Sequence, residues 1–168
     1  MIVAGIDGST TKTGVTIMKD GKIQSYTLID LSKEKKDPIK RILHMQSEIC
    51  KFLDRYDVDV VHMEKAFTKT NIDTTIKLAN LAGGVMLYCA QNDIEFHNPL
   101  PSEWRKKIGI QQSSKIKRDV LKAEAIAAVK QEYGIDVNDD IAESCLLARS
   151  AFDLPKIGIT EDDLWDLM

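Results

Sequence analysis

The chain is poor in the residues that would commit it to a membrane, to secretion or to nucleophilic catalysis. Its apolar runs fall well short of the roughly 20 residues that a membrane-spanning helix needs. Met1-Ile2-Val3-Ala4 opens without a basic segment and reads as a strand rather than a signal peptide. Cys50, Cys89 and Cys145 are isolated and odd in number, and no metal-ligand spacing appears among them. They are expected to be reduced, buried thiols of a cytosolic protein. His44, His62 and His97 are scattered, no Ser-His-Asp or Cys-His arrangement is readable, and His62 reads as packed rather than catalytic. Met45, Met63 and Met86 read as core filler. No repeat or low-complexity segment divides the 168 residues, so a single domain over 1–168 is expected, with an acidic C-terminal tail over 154–168.

A general excess of positive charge is also missing. The formal net charge is −3, which by itself argues against nucleic acid as a partner. The distribution says otherwise. Between Ser102 and Lys122 there are seven bases against two acids, whereas Glu132 to Met168 carries ten acids against Arg149 and Lys156. A basic strip therefore survives beside an acidic end, and Lys117 to Lys122 also reads simply as a solvated helix face.

What the chain does have is acids in places where acids are costly. Asp139-Asp140-Ile141-Ala142-Glu143 runs directly into an apolar helical pattern. Residues three apart share a helix face, and like charges there repel. A divalent cation held by oxygen ligands is the usual offset. Asp7 ends the apolar run Ile2-Val3-Ala4-Gly5-Ile6, and Glu64 follows Val60-Val61-His62-Met63, so both read as acids at strand ends. Four carboxylates match the charge of two dications, and two ions about 3.5–4 Å apart are a known device for phosphodiester hydrolysis. Asp7, on the central strand, is expected to bridge the ions, with Glu64 on one and Asp140 with Glu143 on the other. Asp139 competes with Asp140 for this role and otherwise reads as a helix cap.

The remaining pattern predicts strands over 2–7, 14–19 and 22–29, with Gly14 and Asp20-Gly21 as punctuation. Pro38 opens a helix to about Arg55 with Ile39, Ile42, Leu43, Ile49, Phe52 and Leu53 on its apolar face. A buried strand over 58–63, a helix from Asn71 to Gln91 and a short strand over 94–97 follow. Ser102 is expected to cap a short helix and Ser113 or Ser114 the next, which runs to Tyr133-Gly134. Asn138 or Asp139 caps the last long helix. The order implies an α/β layer fold with a mixed central sheet flanked by helices, its first hairpins antiparallel.

These acid-bearing segments resemble the RuvC-type Holliday junction resolvases of the ribonuclease H-like superfamily, including phage versions. The resemblance runs from Ile2 to about Ser150. It rests on Gly5-Ile6-Asp7-Gly8-Ser9 with Thr13-Gly14, Glu64-Lys65-Ala66-Phe67, Leu78 to Val85, Pro101-Ser102-Glu103-Trp104-Arg105 and Asp140-Ile141-Ala142-Glu143. Two positions depart from the family pattern. The usual Pro after Asp7 is absent, and Glu143 stands where the family has Asp.

The resemblance implies a ribonuclease H-like α/β fold and a structure-selective endonuclease that cuts four-way DNA junctions with Mg²⁺, or Mn²⁺ in its place, two ions per site. It implies Asp7, Glu64, Asp140 and Glu143 as catalytic metal ligands. It implies DNA contacts by Phe67, Lys69, Arg105, Lys115 and Lys117, with Phe67 stacked on bases at the junction. Trp104 could stack on a base or pack its helix against the sheet. A homodimer is implied because two strands are cut symmetrically, with its face on the small residues of the Asn71–Gln91 helix. The expected setting is the cytoplasm of a bacterial cell or of a phage-infected host. A YqgF-like or ribonuclease H-like nuclease acting on RNA or other branched DNA would share the metal site. A non-catalytic nucleic-acid-binding or actin-like module, suggested by the phosphate-loop look of Gly5 to Gly14, would not need all four acids.

Overall fold

The computed structural model describes residues 1–34, 37–66, 71–110 and 116–158. Strands β1 (Ile2–Asp7), β2 (Lys12–Lys19) and β3 (Lys22–Asp30) come first. Helix α1 (Pro38–Leu53), strand β4 (Val60–Met63), helix α2 (Ile72–Gln91) and strand β5 (Glu95–His97) follow, and helices α3 (Pro101–Ile108), α4 (Arg118–Tyr133) and α5 (Asp139–Arg149) close the chain. The strands form one sheet in the order β3-β2-β1-β4-β5. The β1–β2 and β2–β3 pairs are antiparallel, and β1–β4 and β4–β5 are parallel. The tight β2–β3 connection places both Asp20 and Gly21 at positive φ, 49° and 79°, the geometry that makes Asp-Gly a hairpin signal.

Alternation along the strands sends side chains to two different cores. Ile6, Val15, Ile17, Val61 and Met63 pack under α1 and α2 with Met45, Ile49, Leu81 and Val85. The opposite face is covered by α5, with α3 and α4 outside it, around Trp104, Ile108, Ala125, Cys145 and Leu146. Two glycines allow α5 to lie against the strands. A β-carbon on Gly5 would come within 2.0 Å of the Ser144 carbonyl oxygen, and one on Gly14 within 2.1 Å of the Asp140 carbonyl oxygen. Gly14 is thus an interior residue of β2, paired opposite Asp7, and not the strand boundary expected. Below it, Thr16 and Ser144 share a buried hydrogen bond of 2.7 Å.

Several local expectations need correction. Ile39 and Leu43 are exposed, as is Met86, so none of the three is core. Cys50 is half-buried, while Cys89 and Cys145 are buried as expected. Ser102 does not cap α3; the helix begins at Pro101, where the missing N–H costs nothing, and Glu103 accepts from the Leu100 N–H at 2.7 Å. The N-cap of α4 is Lys117, with no side-chain cap bond; Ser113 and Ser114 lie outside the described residues. The cap of α5 is Asn138, whose Oδ1 accepts from the Ile141 N–H at 3.0 Å, which frees Asp139 for another partner. Most of the acidic tail, 159–168, lies outside the described residues.

Candidate active site at the ends of β1 and β4

Asp7 is the last residue of β1, on the side of the sheet that faces α5. Glu64 follows β4 directly. Its N–H donates to the Ile6 carbonyl at 3.3 Å, and the next residue, Lys65, bonds to the Pro99 carbonyl at 2.9 Å, so the backbone here is tied on both sides. Asp140 and Glu143 stand in the first turns of α5, which the close contact at Gly14 brings down onto the strands. All four acids line one cleft of about 820 Å³, together with Lys12, Arg105, Arg118, Lys122 and the turn Gly8 to Thr11. In that turn Ser9 donates its N–H to Thr13 Oγ1 at 3.0 Å and accepts from the Thr11 N–H at 3.2 Å.

The electrostatics are those of acids whose desolvation outweighs the neighbouring positive charges. Burial, then the charges of Glu143, Glu64, Asp140 and Asp139, push the Asp7 carboxyl well above the usual carboxylate range. Burial raises Glu64 to about 7, only partly offset by a hydrogen bond from Trp104. Asp140 is raised by burial and by its neighbour Asp139. Glu143 is raised by burial against the pull of Arg105. Burial would raise Asp139, but the Lys122 bond and charge, a backbone hydrogen bond and Arg118 together outweigh it and hold the carboxyl low. A site whose acids resist ionisation when alone is one that favours cations.

Three partners of these acids went unseen in the sequence. Trp104 donates its indole N–H to Glu64 Oε2 at 2.7 Å. Arg105 pairs with Glu143, and Lys122 with Asp139. Arg105 was expected on an exposed basic strip, yet it is 3% exposed. Trp104 does pack in the core, but its nitrogen serves the site. Their place beside Glu64 and Glu143 follows from how α3 docks, which no local pattern reveals. Gly5 and Gly14 did carry a signal, since glycine inside a strand often marks close backbone approach.

The donor set is all carboxylate oxygen, which suits a hard divalent cation. The ligands are not yet gathered as expected: among the described residues no three such groups stand close enough to hold an ion. Glu143 has the Arg105 guanidinium as its counter-charge instead. Asp7, Glu64, Asp140 and Glu143 therefore fit a divalent ion by chemistry and by shared cleft. Lys117 is exposed at the start of α4 and does not line the cleft. Phe67, Lys69 and Lys115 lie outside the described residues. His62 shares a 3.2 Å hydrogen bond with Ser150 and packs against His97; burial lowers it to about 4. It is a packed, neutral imidazole.

A family model described as crossover junction endodeoxyribonuclease RuvC matches residues 3–145. The chain is 30% identical over 112 residues to the crossover junction endodeoxyribonuclease RuvC of Caldicellulosiruptor saccharolyticus, covering 64% of this chain and 68% of that one. It spans about two thirds of the length of the first curated relatives it matches. Among solved structures, Thermus thermophilus RuvC in complex with a Holliday junction substrate superposes with a TM-score of 0.72 at 16% identity, over 89% of this chain and 92% of that one. The Fowlpox virus resolvase, solved with Holliday junction DNA, gives a TM-score of 0.54 at 15% identity, over 89% and 97%. The fold is ribonuclease H-like, as the family resemblance implied, and its mixed sheet with flanking helices is the layer architecture expected from the pattern.

Proposed function

The chain belongs to the crossover junction endodeoxyribonuclease RuvC family, and on that premise we propose that it is a structure-selective endonuclease that resolves four-way DNA junctions. The observation that carries this reading is that the four acids at the family's motif positions, Asp7, Glu64, Asp140 and Glu143, line a single cleft. They would hold Mg²⁺, or Mn²⁺ in its place, as two ions per site. Bound there, such ions supply an activated water and stabilise the leaving oxygen. The chain's own residues do the rest. Asp7 belongs to the central strand and pairs with Gly14 of β2, so it sets the floor of the cleft. Lys12, Arg118 and Lys122 form a basic wall beside the acids and suit phosphates, a contact that positions DNA without reading sequence. Arg105, buried and paired with Glu143, backs this wall from within.

Lys117 continues this basic surface, and Lys69 and Lys115 are proposed to extend it. Phe67, three residues beyond Glu64, is proposed to stack on junction bases. Cutting two strands symmetrically calls for two sites, hence a homodimer. Helix α2 offers its face: Ile72, Ile76, Ala79, Gly83, Met86 and Leu87 recur at helical spacing on the side away from Leu81 and Val85, with Ile72 72% and Ile76 54% exposed. No helix among the described residues is long and apolar enough to cross a membrane.

The test is cleavage of synthetic four-way, three-way, duplex and RNA–DNA substrates with Mg²⁺. Paired nicks at the four-way crossover, absent in Asp7→Asn, are expected. Preferential cutting of RNA-containing substrates would replace this reading with that of an RNA-directed nuclease on the same core.

A further inference from the structure

Two of the four acids have a dedicated donor, and both donors are neighbours on α3. Arg105 pairs with Glu143, and Trp104 gives its indole N–H to Oε2 of Glu64 at 2.7 Å. Trp104 is 2% exposed and belongs to the same core as Ile108, Ala142, Cys145 and Leu146. The Arg105 guanidinium lies 4.5 Å from its ring centroid. An indole gripped this way has no freedom to follow Glu64, so the carboxylate must follow the indole. The indole also has one proton to give and no acceptor. It therefore engages one carboxylate oxygen and leaves the other.

We propose that Trp104 is a positioning residue that makes Glu64 a one-oxygen ligand and thereby biases the cleft toward Mg²⁺ and against Ca²⁺. The two ions differ in what they ask of a carboxylate. Mg²⁺ is small, takes near-octahedral geometry at about 2.0–2.1 Å and is content with single oxygens and waters. Ca²⁺ takes roughly six to eight oxygens at about 2.3–2.6 Å and often draws both oxygens of one carboxylate. With one lone pair of Oε2 taken by Trp104, a second contact from Glu64 would have to share that oxygen and its geometry with the indole, which weakens two-oxygen binding. This rests on the reading that the cleft binds divalent cations.

The test is calorimetric titration of the full-length protein, without DNA, with Mg²⁺ and separately with Ca²⁺. Wild type is compared with Trp104→Phe, which keeps an aromatic ring and loses the donor. The readout is the ratio of the Ca²⁺ to the Mg²⁺ dissociation constant. Mg²⁺ binding should weaken by about 10- to 100-fold, the usual effect of removing such a supporting donor. Ca²⁺ binding should weaken less or tighten, so the ratio falls. Equal shifts for both ions, or no shift, overturn the proposal, because a tryptophan that only packs would not distinguish them. If Trp104→Phe folds poorly, Trp165→Phe leaves Trp104 as the sole tryptophan. Its emission should then change on adding Mg²⁺, with the calorimetric midpoint, and an emission unmoved by bound Mg²⁺ overturns the assignment. Wild type that binds neither ion would instead remove the metal reading itself, an outcome distinct from unchanged selectivity in a protein that does bind.

Discussion

Helices α5 and α2 cover opposite faces of the same sheet and invert the usual distribution of residue types in opposite ways. Helix α5 carries Asp140 and Glu143 inward, against strands that already hold Asp7. Helix α2 carries Ile72, Ile76, Met86 and Leu87 outward into solvent. Half-buried, clustered acids and an exposed apolar stripe are two arrangements that folding alone disfavours. The proposed function supplies what each lacks, a cation at α5 and a second protein surface at α2. On that proposal the acid face is completed by the chain and ions, whereas the apolar face is completed from outside it.

The strongest break in the comparison is at the centre of the acid face. Asp7→Asn should reduce Mg²⁺-dependent junction cleavage to background while leaving the metal-free protein as stable as wild type or more so. The amide removes a charge that Glu143, Glu64, Asp140 and Asp139 all repel. Melting measured in chelator beside the cleavage assay checks both halves; a melting point several degrees below wild type would show that Asp7 is structural.

On the apolar face, Ile76→Asp with Leu87→Asp should yield a folded monomer. Two charges facing their symmetry mates would cost at least the 2 kcal/mol or so typical of a central interface residue, roughly 30-fold or more in the dimer dissociation constant. Sedimentation equilibrium reads this directly. An unchanged dimer would move the interface elsewhere.

A smaller effect separates the faces by pH. Glu64 sits at about 7 in the folded chain, above the ordinary value near 4.3 expected unfolded. The folded state therefore binds more protons over that window, and stability falls as pH rises through it. His62 acts oppositely: at about 4 when folded, it adds stability as pH rises toward its unfolded value near 6.5. Asp7, Asp140 and Glu143 are raised as well and act in the same sense as Glu64, so without metal melting should fall from pH 5 toward pH 8. Saturating Mg²⁺ should flatten that drop, because the ion replaces the protons. A metal-free protein that grows more stable from pH 6.5 to 8 would contradict the electrostatics drawn here.

The smallest effect belongs to the exposed basic surface. Lys117→Gln should weaken junction binding several-fold at low salt and reduce the slope of log affinity against log salt by about one. A slope equal to that of wild type would place Lys117 off the DNA.

Much of this could be read from residue order. Asp7 and Glu64 were recognisable as strand-end acids because an apolar run followed by a carboxylate is a local pattern. The Asp20-Gly21 hairpin was legible because Asp-Gly tolerates the positive φ it adopts. The spacing of Asp140 and Glu143 was enough to put both on one side of a helix. Ile39 and Leu43 were misjudged because periodicity identifies an apolar face but not whether another element covers it, and Met86 because residue type alone does not fix burial. Ser102 was misjudged because cap preference yields to where the chain turns.

Residue order by itself therefore determined the elements, the mixed sheet and the four acids, since these depend on backbone preference and on neighbours a few positions apart. Only the tertiary structure decided how the acids are held. Gly5 and Gly14 set the distance between α5 and the strands. The docking of α3 gives Glu64 an indole and Glu143 a guanidinium. Lys122 of α4 pairs with Asp139 at the cleft wall and leaves Asp140 without that partner. Each of these pairs residues at least 17 positions apart, and contacts of that kind are selected by packing, which no short stretch of sequence encodes.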